Sequence, residues 1–141
     1  MPDVLAVESL RKEYGDLVAV DDVSFAIGDG ESLAIVGESG SGKTTIARMI
    51  IGLERPTGGR ISACGNDRST PARSASKRRQ RGREVQIVFQ DPYTSLDPRH
   101  TAETAIDEVL RIHHSWPAER RRERVAELAE LVGLDGRQRA V

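Results

Sequence analysis

Nine consecutive residues constrain this chain more than any others: Gly37, Glu38, Ser39, Gly40, Ser41, Gly42, Lys43, Thr44 and Thr45. They fit the spacing G-x-x-x-x-G-K-[ST] without a mismatch. Glycines at these intervals permit tight turns and close backbone approach, so successive N–H groups converge on one anion. A helix starting behind the loop adds the positive end of its dipole. Lys43 supplies a mobile cation for β- and γ-phosphates, and the Thr44 hydroxyl a ligand for Mg²⁺. The flanks suit the motif. Residues 32–36, "SLAIV", form a compact apolar run ending at Gly37, which predicts a fully buried parallel strand. Residues 43–51, "KTTIARMII", have helical composition and stop at Gly52. A flexible Gly/Ser turn that matches by chance lacks that strand–loop–helix setting.

The chain has 141 residues, which suits one domain with its own core. With only 4% aromatics, that core should rest on Val, Ile, Leu and Ala. The net charge of -1 gives no global argument for a nucleic-acid or membrane-surface partner. Cys64 is the single cysteine, which excludes an internal disulfide and agrees with a reducing compartment. The first fifteen residues do not read as a signal peptide, and no run approaches the roughly 18 apolar residues of a membrane span.

Along the chain, residues 5–10 predict a short strand, 24–27 a second, and 28–30 a tight turn. Residues 55–65 read as a Pro/Gly turn followed by a short strand, and 66–83 as a surface loop with some helix. Residues 84–90, "EVQIVFQ", predict a strand, and 91–99 a proline-punctuated loop. Residues 101–114 predict an amphipathic helix with Ala102, Ala105, Ile106, Val109 and Leu110 on one face. Pro117 suits the first turn of another helix, running to about Val132 with Val125, Leu128 and Val132 together and ending at Gly133. Strands dominate the first two-thirds and helices the last third. The expected division is a core lobe over 1–99 and the beginning of a helical part over 100–141.

A phosphate loop serves many machines, so further residues must choose among them. Phe89-Gln90-Asp91-Pro92 places an amide at a strand end before a rigid loop, where its oxygen can complete a metal shell or position water. The loop "GESGSGKTT" followed by "VFQDPYTSLDPR" resembles the ATP-binding subunits of ABC transporters, and within them the oligopeptide, dipeptide and nickel importer group. The likeness runs from about residue 5 to about residue 134. It implies the α/β fold of an ABC-type nucleotide-binding domain: a mixed sheet plus P-loop helix, then the start of the helical subdomain. It also implies ATP and Mg²⁺ at residues 37–45, with Lys43 and Gln90 as catalytic groups and Thr44 and Gln90 on the metal. Tyr14 would stack on adenine, where physical reasoning alone favours an ordinary edge aromatic. The loop after Gln90 would meet transmembrane permease subunits, and a second ATP-binding subunit would complete the site. A solute-binding protein would act indirectly, and no nucleic acid is expected. The location implied is the cytoplasmic face of the plasma membrane, peripheral through the permease. Asp97 stands where the family often has Asn.

Other candidates read as structure. Asp21 and Asp22 follow an apolar run but precede the glycine loop, so they are expected to be turn or surface acids. Asp107 and Glu108 are expected to be solvated, and His100, His113 and His114 to be surface residues, since no completing ligands give a zinc pattern. Val20 is expected in the core and Cys64 half-buried. The basic runs 76–83 and 119–124 lack interleaved aromatics and read as solvated surface. The family's signature sequence, Walker B strand and switch histidine do not occur after Val132, so the chain is expected to end inside the helical subdomain. Residues 32–36 would then have an unpaired edge, and the chain alone would be marginally folded with little turnover. The alternatives are a non-catalytic nucleotide-binding remnant and a nucleic-acid-associated ATPase of the same family.

Overall fold

The computed structural model describes residues 3–91, 97 and 99–134. These belong to two compact units, Met1–Ile87 and Val88–Val141.

The first unit is built on a long hairpin. Strand β1, Leu5–Tyr14, and strand β2, Leu17–Ile27, meet across the two-residue turn Gly15-Asp16, with Tyr14 opposite Leu17. Gly15 takes the positive φ of 58° that such a turn favours. Strand β3, Gly58–Ala63, lies on the other side of β1, and the short β4, Asn66–Asp67, follows β3. The order is β2-β1-β3-β4, antiparallel throughout. Both strands of the long hairpin outrun their apolar cores: the expected 5–10 extends to Tyr14, and the expected 24–27 begins at Leu17. Asp21 and Asp22 lie within β2 at a bulge, exposed to solvent, and Asp22 has a φ of 47°. Arg11 forms an ion pair with Asp21.

Helix α1, Lys43–Ile51, supplies Ile46 and Met49, one turn apart, to a core that also holds Val7, Leu10, Val20 and Ile61. Val20 is thus a core residue, as expected. Gly52, at φ 81°, ends α1 as a left-handed cap, its N–H bonded to Met49 O at 3.1 Å. Helix α2, Ala75–Glu84, buries no residue and is polar on every side. It is held by polar contacts instead: the Ser74 hydroxyl caps it, and Glu84 pairs at 2.7 Å with Arg68, whose side chain is fully buried.

Three expectations fail here. Residues 32–36 form no strand and are exposed, with Val36 90% accessible. Residues 85–90 likewise form no strand, and Val88 is 98% accessible. A buried strand requires a partner for its backbone N–H and C=O groups, and none of the described strands pairs with either run. Cys64 is exposed rather than half-buried. It occupies the turn between β3 and β4 with Gly65, both at positive φ (50° and 75°), which carries its side chain away from the core.

The second unit contains helix α3, Ala102–His113, and helix α4, Ala118–Leu131. Thr101 caps α3 by accepting the Thr104 N–H, and Pro117 precedes α4. Leu110, Val125 and Ala129 are buried. Val109 and Val132, expected on the apolar faces, are exposed. Asp107 is not simply solvated: Arg121 Nε reaches it at 2.8 Å and ties α4 to α3, while Glu108 is exposed. His114 stacks on Trp116 with ring centroids 4.1 Å apart.

Candidate functional site

The glycine loop ends at Gly42, the N-cap of α1, at φ 87°. A Cβ there would stand 2.4 Å from the carbonyl oxygen of Ala19 and 3.2 Å from Val20. Only glycine lets the helix start this close to β2. Ala19 is placed for this contact by a bulge: Lys12 pairs with Val20 and Glu13 with Val18, so Ala19 is the extra residue of β2.

The start of α1 has no side-chain cap and no acid in its first turn. Its first helical bond is Ile46 N–H to Gly42 O at 2.9 Å. The N–H groups of Lys43, Thr44 and Thr45 therefore have no intrahelical acceptor. α2 and α3, by contrast, are capped by Ser74 and Thr101, and α4, which also lacks a side-chain cap, carries Glu119 in its first turn. The uncapped start concentrates N–H donors and positive dipole at one point, which is what an anion requires.

Lys43 closes the loop on itself. Its ammonium donates to Gly37 O at 2.8 Å, Glu38 O at 2.6 Å and Ser41 Oγ at 3.1 Å. A charge held by neutral carbonyls rather than a carboxylate stays uncompensated, and so remains a phosphate partner. Thr44 is exposed, so its hydroxyl is accessible. Tyr14, Leu17 and Ala19 join Gly40, Ser41, Gly42, Lys43, Thr44 and Thr45 around an open cleft of about 270 Å³. Gly37, Glu38 and Ser39 do not line it; the first two anchor Lys43 from behind. Tyr14 has Lys12 Nζ 4.7 Å above its ring centroid.

Gln90 lies in the second unit and is exposed. Of the loop after it, residues 92–96 and 98 fall outside the described residues, so the permease-contact expectation for that stretch falls largely outside them too. Asp97 is paired with Arg99 at 2.6 Å. The Arg99 side chain, then its backbone N–H, holds the Asp97 carboxyl down to about 2. Among the described residues no three His, Cys, Asp or Glu side chains gather as a metal site. The donors suit a triphosphate, with the Thr44 hydroxyl as a metal ligand of the kind Mg²⁺ takes alongside phosphate oxygens.

Sequence reasoning missed Leu17, which the hairpin sets opposite Tyr14, and Ala19, which a bulge brings to the cleft. It also missed Lys12 and the buried Arg68. Lys12 had a usable signal, because it stands two residues before Tyr14 on one strand and so shares its face.

Known proteins are similar to this chain in sequence and in fold. The chain is 43% identical over 124 residues to the oligopeptide transport ATP-binding protein AppF of Bacillus subtilis, covering 88% of this chain and 37% of AppF. It is 46% identical over 127 residues to the glutathione import ATP-binding protein GsiA of Escherichia coli, covering 89% of this chain and 20% of GsiA. The chain thus spans well under half of either relative. In fold it matches the dimeric ATP-binding cassette MJ0796 in a post-hydrolysis state bound to ADP and Pi. That match has a TM-score of 0.76 at 25% identity and covers 96% of this chain and 60% of that one. The family described as ABC transporter matches residues 20–141, a span that begins at buried Val20 and takes in the whole glycine loop and Gln90; this chain belongs to the ABC transporter family.

Proposed function

We propose that this chain is part of the ATP-binding subunit of an importer of peptides or similar small solutes, and that it binds Mg-ATP at residues 37–45. The carrying observation is the uncapped start of α1 with the Lys43 ammonium beside it. The N–H groups of residues 43–45 would bind phosphate oxygens, and Lys43 would turn from its carbonyl partners to the β- and γ-phosphates. The Tyr14 ring would take the adenine face. Mg²⁺, when bound, neutralises phosphate charge; the Thr44 hydroxyl and the Gln90 amide oxygen would hold it. Gln90 would also report nucleotide state to permease subunits through the loop that follows it. A second ATP-binding subunit would complete the hydrolytic site, and a solute-binding protein would act through the permease. The subunit would sit peripherally at the cytoplasmic face of the plasma membrane. The names and sequences of AppF and GsiA support the importer assignment.

Isothermal titration of the 141-residue chain with Mg-ATP tests the binding step. Replacing Lys43 with Ala removes one charge-assisted contact, and affinity should fall about ten- to a hundredfold. Equal binding by wild type and Lys43→Ala would overturn the site.

A further inference from the structure

Tyr14 is not a free ring. The Lys12 ammonium stands 4.7 Å from its centroid, and the same ammonium is bonded to Glu54 at 3.0 Å and to Arg55 O at 2.8 Å. Lys12 and Glu54 are 12% and 24% exposed, which makes this the most shielded ion pair of β1. The turn carrying Glu54 is fixed at both ends. Leu53 and Glu54 donate their N–H groups to Arg48 O, at the C-terminal end of α1. Thr57 donates to Arg11 O at 2.9 Å and accepts from Glu13 N–H at 2.8 Å, both on β1. One continuous set of contacts therefore runs from the far end of α1, through Glu54 and Lys12, to the Tyr14 ring.

We propose that Lys12, braced by Glu54, is a positioning residue that holds the Tyr14 ring as a platform for a purine base. The proposal rests on the nucleotide site proposed above. The ammonium occupies one π-face of the ring, which leaves the other for a ligand. Stacking needs a ring held in a fixed plane, and the Tyr14 side chain is also hydrogen-bonded to Glu54, the same carboxylate that holds Lys12. Because the brace is anchored on α1, it also sets the platform's place relative to the helix start that takes the phosphates. The contribution is confined to the base: inorganic tripolyphosphate offers the glycine loop the same oxygens and the ring nothing. Lys12 lies in neither the cleft lining nor the loop.

The test compares Mg-ATP with Mg-tripolyphosphate on the 141-residue chain, in wild type and in Lys12→Met, Lys12→Arg and Glu54→Gln. Wild type should bind ATP more tightly than tripolyphosphate. Lys12→Met should weaken ATP roughly three- to tenfold and leave tripolyphosphate unchanged, the size of one stacking or cation–π contact. Lys12→Arg should restore the preference, and Glu54→Gln should give an intermediate loss. A Lys12→Met chain that loses both ligands equally, or neither, overturns the proposal, while wild-type binding of tripolyphosphate still carries the phosphate site. Wild type that binds neither ligand overturns both. If Lys12→Met fails to fold, Glu54→Gln decides: an unchanged ratio of the two affinities sinks the brace. The Tyr14 ring protons give a second readout, since they should move on adding ATP and stay in place with tripolyphosphate.

Discussion

At the scale of single residues, Gly42 and Gly52 form a controlled pair. Both have a positive φ, 87° and 81°, at the two ends of α1. A methyl at Gly52 meets nothing within 4 Å, whereas at Gly42 it meets Ala19 O at 2.4 Å. Gly52→Ala should cost about 1 kcal/mol, the left-handed penalty alone. Gly42→Ala should cost more, about 2–4 kcal/mol, because β2 must also move. Thermal unfolding of the two variants checks the order, and equal losses would deny the close approach. Asp97 gives a pH prediction. Its folded value, about 2, lies below the ordinary carboxylate value near 3.9. The Asp97–Arg99 pair therefore stabilises fully above the ordinary value, and its contribution is lost as pH falls through about 2. An NMR titration should place the Asp97 midpoint near 2, and Arg99→Ala should return it to the ordinary range. The placement of Lys43 and Thr44 at the start of α1 was legible in the sequence because the spacing of the glycine loop fixes both positions. Ala19 was not, because a bulge is a property of two strands and no single strand announces it.

At the scale of elements, legibility depended on whether an element closes its own hydrogen bonds. The end of α1 at Gly52 and the span of α3 followed from local signals, since a helix satisfies its backbone within the segment. Residues 32–36 and 85–90 carried equally clear apolar runs, yet strands form only where partners exist. α2 presents the opposite case: it has no apolar face to read and is fixed by Arg68. That guanidinium donates Nη2 to Glu84 at 2.7 Å and to Arg81 O at 3.0 Å, while its Nε and Nη1 find no partner among the described residues. Such a buried pair contributes little beyond its own desolvation, but breaking one side of it leaves a bare charge. Glu84→Ala should therefore cost about 3–5 kcal/mol, whereas the double variant Arg68→Met with Glu84→Leu, which replaces both charges by apolar groups of similar size, should be near neutral. Denaturant unfolding of both variants checks the asymmetry. A loss in the double variant as large as in Glu84→Ala would show that the pair stabilises the fold beyond its own desolvation.

At the scale of the whole molecule, the buried and exposed apolar residues are unevenly matched. The core cluster of the first unit has six buried members, while Leu33, Ile35 and Val36 are all more than 40% exposed in the same unit, and Val88 and Phe89 are exposed in the second. Runs of high β-propensity with unpaired backbone are templates for intermolecular pairing. The chain should therefore self-associate as concentration rises, independently of nucleotide chemistry. Val36 and Val88, 90% and 98% accessible, pack on almost nothing. Replacing both with Lys should change unfolding free energy by no more than about 0.5 kcal/mol, as for other surface sites. The same change adds charge to each exposed run, which natural edge strands use against pairing. Light scattering against concentration should then fall sharply while thermal unfolding stays in place. A drop in unfolding temperature would show that these valines are buried against something in solution. Unchanged scattering would show that association runs through another surface.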